Sequence, residues 1–191
     1  KQCERDARLQ ERVAPERLEQ LEQPEDFVEP FRLKARCRRL AEQIVARFGD
    51  GAQAGIRIDW SREAEPLETA GGIAQARVLL GEAPFLLVNA DIWCEFDFAR
   101  LRNFQLGPRL AHLVLVANPP QHPAGDFTLE HGVVGNGPGR HDTRYTYAGI
   151  SVLSPRLVDG VAAGSKAQLA PLWRAAAGRG EVSGELYAGY W

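Results

Sequence analysis

From Leu33 to Val116 the chain alternates helix-spaced and strand-length apolar segments, and this alternation limits the possible folds more than any other feature. Leu33, Cys37, Leu40, Ile44 and Phe48 recur at steps of four and three, the spacing of one helix face. Gly49 then offers a left-handed stop. In GIRIDW (55–60), Ile56, Ile58 and Trp60 alternate as in a strand. A polar loop, SREAEPLETAGG, leads to an apolar helical stretch from Ile73 to Leu80, closed by Gly81. Phe85–Val88 reads as a second strand buried on both faces, 96–104 as a short helix and 110–116 as a third strand. From about Pro119 the pattern changes. Gly, Pro, Asn and His punctuate DFTLEHG, GVVGNG and RYTYAGISVL, a hairpin-like series. Two short helical stretches follow, near 155–161 and 169–177, and SGELYAGYW opens as a strand.

Strands alternating with helices, followed by inserted hairpins, predict an α/β fold: a Rossmann-like, mainly parallel sheet with a small β-hairpin region. Ligands of such sheets bind beyond the carboxyl ends of the strands. FLLVNADIW (85–93) matters for that reason. Its apolar run stops at Asn89 and delivers a carboxylate, Asp91, where the crevice is expected. A carboxylate there can hold a hard cation such as magnesium, which in turn holds phosphates. The spacing alone equally suits a helix N-cap or a turn residue.

Composition narrows the setting. A chain of 191 residues, 45% hydrophobic, suffices for one core. A net charge of −2 argues against a broad nucleic-acid footprint. The three cysteines, Cys3, Cys37 and Cys94, make no C-x-x-C pair, so neither a disulfide framework nor a zinc site is suggested, and a reducing cytoplasm fits. No apolar run approaches a membrane span. Histidines 112, 122, 131 and 141 show no ligand spacing and read as surface or loop residues. Charge is concentrated in the first 40 residues, so 1–36 is expected to be a solvated helix or a disordered arm, with the domain proper over 37–191.

EPLETAGGI (65–73), LLVNADIW (86–93) and YAGISVLSP (147–155), in this order and spacing, resemble sugar-1-phosphate nucleotidylyltransferases. The likeness is greatest to N-acetylmuramate-1-phosphate uridylyltransferases of bacterial cell-wall recycling. RFGDG, LAHLVLVANP, GDFTL and the final LAPLWRAAAGRGEVSGELYAGYW support it, and it covers roughly residues 40–191. The resemblance implies that Asp91 binds a catalytic Mg²⁺ and that Asn89 faces the nucleotide or sugar. Ala90 stands where the family usually has glycine. Thr69, Gly71 and Gly72 match a loop approaching the nucleobase, and Glu63 a base-contacting polar position. Asp126 and Gly149 match the wall facing the sugar. Read from the residues alone, Gly71 and Gly72 also fit a loop-to-helix turn, Gly149 a strand bulge and Asp126 an ordinary turn.

The implied reaction is attack of a sugar-1-phosphate oxygen on the α-phosphorus of a nucleoside triphosphate, with pyrophosphate leaving. The implied partners are those two substrates, without nucleic acid or membrane. No Ser-His-Asp or Cys-His set is needed, and none is found. The sequence departs from the family pattern at two places. No G-x-G-x-R phosphate loop precedes Gly49, and no V-D-V-G-T-like stretch with a second metal carboxylate follows Trp191. Little or no turnover by this chain alone is therefore expected, as from a truncated or frame-disrupted gene. The competing readings are a non-catalytic nucleotide-sugar-binding or regulatory domain and, ranked last, a partner-binding role for the charged arm. Mannose or glucose 1-phosphate are the alternative sugars, with guanine or thymine as base.

Overall fold

The computed structural model describes residues 38–137 and 143–191, with side chains from 42 onward in the first helix. The charged arm expected at 1–36, Cys3, Cys37 and His141 lie outside the described residues. Three helices are described: α1 (Arg38–Phe48), α2 (Glu68–Leu80) and α3 (Leu169–Gly178). Six strands accompany them: β1 (Phe85–Val88), β2 (Ala111–Val116), β3 (Phe127–Glu130), β4 (Val133–Gly135), β5 (Arg144–Leu153) and β6 (Val182–Leu186). They form one sheet in the order β1-β5-β2-β6-β4-β3, and β3 also pairs with the start of β5.

The α/β class holds, but the sheet is mixed rather than mainly parallel. Only β2 and β6 run parallel among the described strands, Ala111 opposite Val182 through Leu115 opposite Leu186. β5 runs antiparallel between β1 and β2. The apolar pattern leaves strand direction open; RYTYAGISVL forms one ten-residue strand that pairs antiparallel with β1, β2 and β3, and this makes the sheet mixed. The β3–β4 hairpin forms as the sequence predicts, turning through left-handed His131 and Gly132.

Residue alternation splits the core into two layers. Leu113, Leu115, Leu153 and Val182 face α2 and α3, where Ile73, Ala74, Trp173 and Ala176 meet them. Val114, Val116, Ile150 and Val152 face the opposite side, covered by Phe96, Leu101 and Leu106 and by the partly buried Tyr187 and Trp191. β2 is buried along its whole length. β1 is not: Phe85, Leu86 and Leu87 are half-buried and Val88 is exposed, because β1 stands at the edge of the described sheet.

Other expectations fail locally. GIRIDW forms no strand; it wraps the left-handed turn after α1, with Ile58 N–H donating to Asp50 O at 2.7 Å and Trp60 Nε1 to Gly49 O at 2.6 Å. The helix expected from Ile73 begins five residues earlier, at Glu68. The helices expected at 96–104 and 155–161 are single 3-10 turns, Phe98–Leu101 and Pro155–Val158, capped by Asp97 and Ser154 side chains. No helix among the described residues is long and apolar enough to cross a membrane.

Candidate active site

β1, β2 and β6 all end at the same edge of the sheet, because Val88 lies opposite Ile150, Val116 opposite Thr146, and Leu115 opposite Leu186. The first group of candidate residues sits there. Asn89 directly follows β1, and its N–H donates to Gly149 O at 2.8 Å. Gly149 has φ +82°, and the β2–β5 register shifts around it, so β5 bulges at this point. A Cβ on Gly149 would stand 2.8 Å from Ile92 Cγ2 and 3.1 Å from Asn89 Cβ. Glycine is thus required twice over, by backbone angle and by contact. The bulge and the turn after β1 lock together and leave the Asp91 side chain exposed two residues beyond Asn89.

Asp126 lies on the same edge, between the end of β2 and the start of β5. Tyr147 N–H donates to its Oδ2 at 2.9 Å, and His122 Nε2 bonds its Oδ1 at 3.1 Å. Arg144 donates to its backbone oxygen. Asn118 completes the brace: it accepts from Thr146 Oγ1 at 2.9 Å and donates to Arg144 O at 3.0 Å. Asp126 is therefore more than the ordinary turn residue that its sequence context allows. Both carboxylate oxygens fasten one sheet end to the loop over it. His122 is the partly exposed loop residue that its sequence context predicts; Asn118 and Arg144 carry no sequence signal beyond lying within the polar, proline-rich run and strand start around GDF.

The remaining candidates gather at the start of α2. Glu63 Oε2 accepts from Leu67 N–H at 3.0 Å. Thr69 is half-buried, while Gly71 and Gly72 are buried inside the helix rather than lying in an open loop. The Ala70 and Gly71 amides both donate to Ala167 O, at 3.0 and 3.1 Å. A Cβ on Gly71 would come within 2.1 Å of Ser165 O. The glycine thus admits the 165–167 segment against the helix; the turn into the helix lies earlier, at Leu67–Glu68, so Gly71 serves close packing rather than a loop-to-helix turn.

The histidine expectation also changes. His112 is only 5% exposed, on the face of β2 turned toward Phe104, with rings 4.1 Å apart. Its Nδ1 bonds Ser183 Oγ at 3.0 Å. Burial lowers its pKa; the Glu185 carboxylate opposes this and Arg109 adds to it. Burial likewise raises the Tyr147 phenol, against a weaker opposing bond to Ser151.

Among the described residues no three His, Cys, Asp or Glu side chains gather as a metal cluster. Magnesium does not require one: it keeps several waters and is held by one or two carboxylates together with substrate phosphates. The exposed Asp91 carboxylate at a strand end fits that role as a single hard-oxygen ligand.

No family model matches the chain. It is 43% identical over 163 residues to the N-acetylmuramate alpha-1-phosphate uridylyltransferase of Neisseria meningitidis serogroup B, covering 80% of this chain and 68% of that protein. A mannose-1-phosphate guanylyltransferase catalytic subunit beta from Dictyostelium discoideum is 32% identical over 112 residues, 55% of this chain and 31% of that one. The fold matches a crystal structure described as a putative glucose-1-phosphate thymidylyltransferase from Bacillus anthracis in complex with sucrose. The TM-score is 0.64 at 13% identity, over 78% of this chain and 65% of that one. This shared fold, together with the sequence relatives, defines a nucleotidyltransferase domain. By its likeness to the Neisseria enzyme, the chain belongs to the sugar-1-phosphate nucleotidylyltransferase family. It spans about two thirds of that relative's length.

Proposed function

We infer that this chain carries the substrate-binding edge of a magnesium-dependent uridylyltransferase that acts on N-acetylmuramate 1-phosphate in cytoplasmic cell-wall recycling. The observation that carries the reading is Asp91, exposed at the carboxyl end of β1 and fixed by the Asn89–Gly149 lock. Asp91 would hold the metal, and magnesium bound there would supply charge neutralisation for the phosphates of two like-charged substrates. The sugar-phosphate oxygen attacks the α-phosphorus of UTP and pyrophosphate leaves.

The chain's own residues bind and orient. Asn89 directs its amide at the nucleotide or sugar. Glu63 and Thr69 stand at the nucleobase side, with Gly71 and Gly72 letting the start of α2 pack closely behind them. Gly149 and the braced Asp126 form the sugar-facing wall.

Calorimetric titration with UTP and magnesium tests the proposal. Saturable, magnesium-dependent binding is expected, with at least about tenfold weakening in Asp91→Asn and no change in melting temperature, since the side chain is exposed. A folded chain that binds no UTP overturns it.

A further inference from the structure

Most aromatic rings near the strand-end edge are packed away. Phe96 is buried, in edge contact with Phe98 and Tyr187 at 5.5 and 5.2 Å. Trp191 Nε1 donates to Ala148 O at 2.7 Å, beside the Gly149 bulge. Trp93 and Tyr190 are far more exposed, at 75% and 61%, than Phe98, at 36%. Their exposure follows from the backbone. Along 92–96 burial alternates: Ile92, Cys94 and Phe96 pack into the second core layer, while Trp93 and Glu95 are exposed. Ile92 also lies against the Gly149 bulge, where a Cβ on Gly149 would meet its Cγ2. Trp191 turned inward similarly throws Tyr190 outward. One hydrogen bond, Glu95 N–H to Tyr190 O at 3.1 Å, ties the two segments together. The result is a pair of exposed rings on adjoining backbone, anchored from beneath, and Trp93 is within about 7 Å of chain from Asp91.

Burying an indole is strongly favourable, so an exposed Trp two residues from a candidate phosphate site offers a ligand bound there a large apolar contact. A pyranose offers the matching chemistry: an apolar C–H face for the ring and hydroxyls at its rim for neighbours such as Asn89 and Glu95. We propose that Trp93, with Tyr190 beside it, is the platform on which the sugar ring of the sugar 1-phosphate stacks, and that it sets sugar affinity independently of the nucleotide. This rests on the uridylyltransferase reading of the Asp91 edge.

The test separates the two ideas. Wild-type chain, Trp93→Ala, Trp93→Phe and Tyr190→Ala are titrated with UTP–magnesium, and separately with N-acetylmuramic acid 1-phosphate and magnesium. Iodide quenching of tryptophan emission and sedimentation velocity accompany both. The expected result is an unchanged UTP dissociation constant and about tenfold weaker sugar-phosphate binding in Trp93→Ala, largely restored in Trp93→Phe. The sugar phosphate should also shield an iodide-accessible emission that Trp93→Phe lacks. UTP binding with unchanged sugar-phosphate binding overturns the platform and leaves the uridylyltransferase reading standing. Loss of UTP affinity alone overturns it in favour of a nucleobase platform. A Trp93→Ala chain that changes only its sedimentation overturns it in favour of self-association. Failure of the wild type to bind either ligand overturns both.

Discussion

At the residue scale the molecule turns on a few contacts that sequence alone leaves ambiguous. Gly149 reads equally as a sugar-facing position or a strand bulge, and the geometry makes it a bulge that also locks Asn89 and Ile92. Gly149→Ala must adopt a positive φ and push against Ile92 Cγ2 at 2.8 Å. A loss of about 2 kcal/mol or more is expected in urea denaturation, together with weaker UTP binding as the Asp91 turn shifts. An unchanged denaturation midpoint would contradict the lock. His112 shows what spacing cannot reveal: nothing in AHLVLV marks the histidine as buried, because a single polar residue in a strand normally faces water. Its lowered pKa gives a pH dependence with a definite sign. The unfolded chain takes up a proton near pH 6.5 that the folded chain resists, so stability falls as pH drops below about 6.5 toward the lowered folded value. The groups around the ring are Ser183 and Glu185 from β6, Phe104 from the covering segment, Arg109 before β2, and Arg100, which pairs with Glu185 at 2.7 Å. Replacing His112 with Gln should flatten the acid limb of a melting-temperature profile between pH 5 and 7. A variant with the wild-type slope would assign that limb to carboxylates instead.

At the scale of elements, strongly patterned segments were legible and their partners were not. β2, the β3–β4 hairpin, α3 and the two glycine stops at Gly49 and Gly81 follow from apolar runs and turn chemistry. The direction of β5 did not, because alternation fixes which side chains face a core but not whether the neighbouring strand is parallel. GIRIDW carried a strand's alternation, yet Ile58 and Trp60 are satisfied by the turn at 49–51, a tertiary override of a local pattern. The Asp126 brace belongs to this scale because it joins two elements. Removing it in Asp126→Ala strips the acceptor from Tyr147 N–H and the partner from His122. The expected cost is about 1–3 kcal/mol, with the largest amide chemical-shift changes at 118–126 and 144–147. Shift changes confined to the mutated residue and its two neighbours would show that the brace carries little.

At the scale of the whole described domain, order should be graded rather than uniform. β2 is buried throughout and flanked by β5 and β6, whereas β1 bonds to β5 alone among the described strands and ends in an exposed Val88. The Asp91 turn hangs from that least protected strand. In this arrangement the Asp91 turn is held by a bulge from a well-buried strand, Gly149 on β5, as well as by β1 itself. Native-state hydrogen exchange checks this directly. Amides of 111–116 and 150–153 should exchange only with global unfolding, and those of 85–88 sooner, through a local opening of smaller free energy. UTP with magnesium should slow 85–91 selectively, since ligand held at Asp91 stabilises the closed form of that edge by mass action. Equal protection of β1 and β2 without ligand would mean that the outer edge of β1 is covered. A UTP effect spread evenly over the sheet would mean that the nucleotide does not bind at the Asp91 turn.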